Sequence, residues 1–142
     1  MTVKTETNFY KNLKKCLESG GKKYIITRIE SYVTPGFPDC LIYHNDVGFF
    51  TLELKVVRRN KKGIGKVLIS PLQIAWNTIH MIHGAPVFIL IHDPGRGITK
   101  LFSSSKLLEL RDKDYDSVDG GLWTGALGRE FAAELPKLLK LP

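Results

Sequence analysis

The sequence predicts an α/β sandwich around a mixed sheet. Three observations predict it: an N-terminal segment with helical apolar periodicity, a run of strand-like stretches separated by turn residues, and a capped apolar helix followed by a buried strand. In order the elements read helix, three mostly antiparallel strands, helix, strand, strand and a helical C-terminal extension. The 142 residues are expected to form one domain, with a core over about 5–102 and an extension over about 103–142.

Thr5 to Leu17 reads as an amphipathic helix with Thr5 as N-cap. At about 100° per residue, Phe9, Tyr10, Leu13, Cys16 and Leu17 share one stripe, and Glu6 lies on it too. A carboxylate at the start of a buried face has two readings: a favourable place near the helix N-terminus, or a group reaching a site. Gly20-Gly21 ends the helix. Tyr24 to Val33 is β-branched and aromatic, hence a strand, and Glu30 on it is a second candidate carboxylate. After Thr34-Pro35-Gly36 comes a hairpin, with a first strand near Asp39–Tyr43 and a second over Phe49–Val57.

Beyond it, Arg58, Arg59, Lys61, Lys62 and Lys66 put five positive charges into nine residues with two glycines, which predicts a flexible basic loop suited to phosphate contacts. Ser70-Pro71-Leu72-Gln73 is a strong helix start, and Gly84 stops that helix. Pro86 to His92 is a buried strand, turned by residues 93–97 into Ile98–Phe102. Ser103 to Ser105 caps a short helix through Leu110, the 111–121 segment reads as a loop, and Leu127 to Leu135 reads as a last helix broken by Pro136.

Composition is that of a globular protein, 43% hydrophobic and 25% charged, and its longest apolar run is far too short to span a bilayer. The N-terminal stretch has no apolar segment of signal-peptide type, so an intracellular home is expected. Two cysteines, Cys16 and Cys40, make no disulfide framework and sit in apolar patterns. A net charge of +7 favours a polyanionic partner such as nucleic acid.

The hairpin carries the chemistry. Phe50, Leu52, Leu54 and Val56 share its apolar face, so Glu53 and Lys55 stand together on the other. A three-residue loop sets Asp39 opposite Lys55, and a five-residue loop sets it opposite Glu53. Either places Asp39, Glu53 and Lys55 on one face, with the carboxylates roughly 5–8 Å apart at Cβ. A four-residue loop breaks that parity. Carboxylates this close repel unless a cation lies between them, and hard oxygens suit Mg²⁺ or Mn²⁺. A neighbouring lysine can orient a water and offset charge on a phosphate. That is the chemistry of phosphodiester hydrolysis.

Gly36-Phe37-Pro38-Asp39 followed by Glu53-Leu54-Lys55 resembles the signature of the PD-(D/E)xK nuclease superfamily, nearest its phage and archaeal Holliday-junction resolvases, phage endonuclease I and the VRR-NUC domains. The resemblance spans about Thr5 to His92. It implies an αβββαβ core and a Mg²⁺-dependent DNA endonuclease, with Mn²⁺ as a substitute, that leaves a 5′-phosphate and a 3′-hydroxyl. It further implies that Asp39, Glu53 and the carbonyl of Leu54 hold the ion, helped by Glu6, which matches a glutamate on the first helix of such relatives. Lys55 would act on the attacking water, and Gln73 would either lie near the scissile phosphate or serve only as a cap. Small size and the basic loop favour branched or junction DNA as partner, and a four-way junction cut symmetrically calls for a C₂ homodimer. Small nucleases of this type often belong to phages and would work in the host cytoplasm. A general nicking or restriction-type nuclease, and a binding module that has lost catalysis, are the alternatives.

Overall fold

The computed structural model describes residues 2–21, 23–29 and 35–139, with side chains from residue 6 onward. Glu30 therefore lies outside the described residues. Helix α1 spans Thr2–Ser19, so Thr5 is inside the helix and not its cap. Its apolar stripe is the predicted one: Phe9, Leu13, Cys16 and Leu17 are buried, and both thiols are free and buried.

Strands β1 (Tyr24–Arg28), β2 (Cys40–His44) and β3 (Gly48–Val56) form an antiparallel meander. The β2–β3 register pairs Cys40 with Leu52 and His44 with Gly48. Continued by one residue, it sets Asp39 opposite Glu53, which is the second of the two registers considered above. Gly48 adopts φ +85, the left-handed turn conformation that a side chain resists.

The basic stretch is not a floppy loop. Strands β4 (Arg58–Arg59) and β5 (Gly65–Lys66) pair as a small separate hairpin. Asn60 closes its turn, its Oδ1 accepting the backbone N–H groups of Lys62 and Ile64 at 2.9 and 3.0 Å. An Asx-type closure of this kind organises five residues that composition alone marks as flexible.

Helix α2 spans Pro71–Ile82, and β6 (Val87–Asp93) then runs parallel to β3. Parallel neighbours need a crossover, and β4, β5 and α2 supply it. Strand β7 (Ile98–Ser103) is antiparallel to β6, giving a sheet of order β1-β2-β3-β6-β7-β8. The sixth strand, β8 (Trp123–Gly125), comes from the C-terminal part of the chain. Between β7 and β8 lie a 3₁₀ turn at Ser104–Lys106, helix α3 (Leu107–Asp112) and a second 3₁₀ turn at Tyr115–Ser117.

The sheet separates two apolar layers. On one face Phe50, Leu52, Leu54, Phe88 and Leu90 pack with α1 and with Phe131 and Leu135 of helix α4 (Arg129–Leu139). On the other, Ile89, Ile91 and Phe102 pack with Leu107, Leu110 and Ile74. The fold is thus a mixed sheet flanked by helices, as the sequence predicts. Its C-terminal part is not a simple appendage, since it adds a strand and fills the α1 layer.

Pro136 was expected to break α4, yet it sits buried inside it. Proline leaves the carbonyl four residues back without its helical donor. That carbonyl belongs to Ala132, and the Tyr24 hydroxyl donates to it at 2.6 Å. Tyr24→Phe should therefore cost about 1–2 kcal/mol in urea unfolding. It should cost less when Pro136→Ala has restored a backbone donor. An equal cost in both backgrounds would contradict this pairing.

Candidate active site

Glu53 is the centre of the site. Odd-numbered β3 residues face α2, and Glu53 is 1% exposed. Gln73 reaches it from the first turn of α2: its Nε2 donates to Glu53 Oε1 at 3.1 Å. The same side chain completes a capping box, its Oε1 accepting the Ser70 N–H at 3.0 Å while Ser70 Oγ accepts the Gln73 N–H at 3.1 Å. Gln73 is thus the cap that the sequence predicts, and the other end of its amide holds the acid.

Asp39 enters from the start of β2. Its Oδ2 accepts the Leu54 N–H at 2.8 Å, just past the last β2–β3 pair. Backbone N–H groups of odd β3-side residues point to β6, as Thr51 to Pro86 and Val57 to His92 demonstrate. Leu54 accordingly faces the other way, and its carbonyl opens on the Asp39 side. Gly36 explains the glycine that leads into this strand. It has φ +87, and a Cβ there would lie 2.3 Å from the Leu72 carbonyl oxygen. The chain passes directly over the start of α2, with Phe37 against Trp76 at 5.0 Å between ring centres.

Burial raises Glu53 well above its ordinary value of 4.5, and the neighbouring Asp39 carboxyl raises it further, while Lys55 pulls it back. Asp39 thus opposes the ionisation of Glu53, whose Oε2 is buried without a hydrogen-bond partner. Two neighbouring carboxylates repel when both are ionised, and a proton or a cation relieves that repulsion. Glu6 is half-buried, and its pKa is raised by burial first, then by Asp39, against the lowering effect of Lys55, Arg58 and Arg28. Its charge is felt at the site, but among the described residues no three His, Cys, Asp or Glu side chains form a ready ion cage. A Mg²⁺-type ion fits what is present, because such ions take one or two carboxylates and complete their shell with carbonyl, water and substrate oxygens.

Of the basic residues, Arg58, Lys61, Lys62 and Lys66 are exposed. Arg59 is not available in the same way. Its guanidinium pairs with Asp93 and with both oxygens of Asp116, and donates to the Gly63 carbonyl at 2.8 Å. Asp93 is itself buried, so this cluster pins the small hairpin to the β6 end of the sheet. Arg59 thus anchors the hairpin, a role its neighbours in the sequence do not reveal.

Two contributors are not evident from the sequence. Asn77, fully buried, donates to the Gln73 carbonyl at 2.8 Å and accepts from Ser104 Oγ at 2.9 Å, steadying the turn that carries Gln73. Arg111, at the end of α3, shares a groove with Lys55 and Gln73. The spacing of Asn77 four residues after Gln73 was the only available signal for the first. The second lay in a segment that reads as loop.

The fold resembles that of a Holliday junction resolvase. The solved structure of Hjc from Archaeoglobus fulgidus, a Holliday junction resolvase from an archaeal hyperthermophile, aligns with TM-score 0.54 at 20% identity, over 76% of this chain and 84% of that one. No family model matches the sequence, and no curated protein does either. No helix among the described residues is long and apolar enough to cross a membrane. On this resolvase-like fold the acid pair lies toward the C-terminal end of β3, the end of the parallel β3–β6 pair at which ligands commonly bind in α/β sheets.

The raised Glu53 fixes the sign of a pH effect. Between the unfolded value and the raised folded one, the native state holds more protons, so stability falls as pH rises through that window. A divalent ion that replaces the proton should remove the loss. Without metal, the Glu53 contribution to melting temperature should therefore decline as pH rises above the ordinary carboxylate range, against the opposite trend of His44 and His92, whose values burial lowers. Mn²⁺ should raise the melting temperature more at the higher pH. Glu53→Gln should flatten both responses; an unchanged Mn²⁺ effect in that variant would show that the ion binds elsewhere.

Proposed function

We propose that this protein is a divalent-metal-dependent DNA endonuclease that selects branched structure over base sequence. The observation that carries the reading is the buried Glu53 oxygen without a partner, on an acid whose ionisation burial and Asp39 both oppose. Asp39, Glu53 and the Leu54 carbonyl would hold Mg²⁺ or Mn²⁺, with Glu6 acting on the ion or its waters. Bound there, such an ion supplies Lewis-acid polarisation of the phosphate and a more acidic water. Gln73 fixes the Glu53 carboxylate, so that the acid does not turn away as charge shifts. Lys55 orients the attacking water and offsets negative charge on the phosphate. Water adds to phosphorus, the bond to the 3′ oxygen breaks, and that oxygen takes a proton, leaving a 5′-phosphate and a 3′-hydroxyl.

Arg58, Lys61, Lys62 and Lys66 are the proposed phosphate contacts of the hairpin, and Arg59 acts as its anchor. Such contacts set register on the nucleic acid and carry no base specificity. The likeness in fold to Hjc supports junction DNA as the substrate class.

The outer stripe of α2 supports a homodimer. Leu72, Ile79 and Ile82 are exposed, Ile82 by 73%, and the twelve-residue helix has no Asp, Glu, Lys or Arg. Two copies of a chain with net charge +7 can meet there without opposing like charges. Ile79→Glu with Ile82→Glu should convert a dimer to monomers in light scattering. A wild type that is monomeric at tens of micromolar would contradict this surface.

Cleavage assays test the activity itself. A synthetic four-way junction should be cut in Mg²⁺ or Mn²⁺ faster than a linear duplex or supercoiled plasmid. Lys55→Ala and Glu53→Ala should each lower cutting at least a hundredfold, about 3 kcal/mol of transition-state stabilisation, with junction binding retained. Tight binding with no cutting of any substrate would overturn the enzyme in favour of a binding module, and equal cutting of all three would overturn junction selectivity.

A further inference from the structure

A groove of about 530 Å³ opens beside the acid pair. Lys55 and Gln73 line its near end, Lys66 of β5 and Arg111 of α3 line the rest, and the 67–69 segment lies beneath them. Three cations thus line one concavity, which shares Lys55 and Gln73 with the candidate site. The surface beneath them is apolar: Leu68 is 56% exposed, while Val67 and Ile69 are buried. A site for a small free anion has no use for an exposed leucine. A polynucleotide strand does, because it presents sugar and base surface between its phosphates, and a volume of this size admits about one nucleotide unit.

The anion that now pairs with Arg111 is the chain's own. Asp112 accepts from Arg111 Nε at 2.7 Å and from Nη2 at 3.2 Å, a fork geometry that a phosphate reproduces equally well. Lys66 also acts on Asp112, which is exposed. Nothing buried depends on this ion pair, and exposed pairs of this kind contribute little to stability.

We propose that the groove grips the sugar-phosphate backbone of the cleaved strand beside the scissile phosphate, with Lys66 and Arg111 as phosphate contacts and Asp112 as the carboxylate that the phosphate displaces. The identity of the strand rests on the nuclease reading, whereas the grip itself does not. Arg111 lies beyond the segment that carries the nuclease-like motif, so the C-terminal part of the chain takes part in substrate binding and not only in the core.

Binding of a labelled four-way junction, followed by fluorescence anisotropy in EDTA over a salt series, tests the groove without any cutting. Arg111→Ala should weaken binding about three- to tenfold and lower the log–log salt slope by about one. Asp112→Asn should tighten binding about two- to threefold. Lys113→Ala removes the same single charge outside the groove and should leave the slope unchanged. A merely structural ion pair would instead lower the melting temperature of both Arg111→Ala and Asp112→Asn and move neither affinity. Equal slopes for Arg111→Ala and Lys113→Ala, or no tightening in Asp112→Asn, overturn the grip. Wild-type cutting in Mn²⁺ is scored separately: the binding pattern without cutting leaves the groove standing and sinks only the nuclease, cutting with an unaltered Arg111→Ala sinks only the groove, and no DNA binding sinks both.

Discussion

The constraint on which the site depends is a carboxylate kept almost dry beside another carboxylate. Burying a charge is expensive unless it is paired and hydrogen-bonded. Glu53 has one donor, the Gln73 amide, for two oxygens. Satisfied hydrogen bonding would have suited a structural role; an unmet oxygen on an acid that Asp39 keeps from ionising suits a cation. Several elements converge there. Strand β3 brings Glu53 and Lys55, the end of β2 brings Asp39, the start of α2 brings Gln73, and α1 brings Glu6 to the margin.

Backbone geometry makes that convergence possible. Asp39 continues the β2–β3 ladder with its side chain, taking the N–H of Leu54 that would otherwise face the end of a strand. Gly36 lets the preceding segment cross the first turn of α2 at a distance no side chain would permit. Gln73 is therefore held on three sides: by Ser70 through the capping box, by Asn77 through its carbonyl, and by the chain crossing above. An amide so fixed costs little additional ordering when it holds an acid in place.

Much of this was legible in the sequence, because it rests on short-range rules. Strand alternation put Glu53 and Lys55 on one face, and the cap pattern placed Gln73 in a first turn. The register that brings Asp39 to Glu53 was one of two that the alternation allowed. What was hidden depends on partners distant in the chain. Arg59 looked like its basic neighbours until Asp93 and Asp116, 34 and 57 residues away, claimed it. Pro136 looked like a helix breaker because nothing nearby signals that Tyr24, 108 residues distant from Ala132, supplies the missing donor. Arg111 sits one residue beyond the predicted end of a short helix, where the polar 111–121 segment reads as a loop, and the helix in fact runs on to Asp112. Glu30, the other candidate carboxylate, lies outside the described residues.

The most direct measurement is anomalous diffraction from crystals soaked in manganese. A single peak between the Asp39 and Glu53 carboxylates, with the Leu54 carbonyl among its ligands, is the predicted result. Carboxylates turned apart with no peak between them, or a proton-sharing pair that stays metal-free at saturating manganese and neutral pH, would contradict a cation-binding acid pair at the heart of this fold.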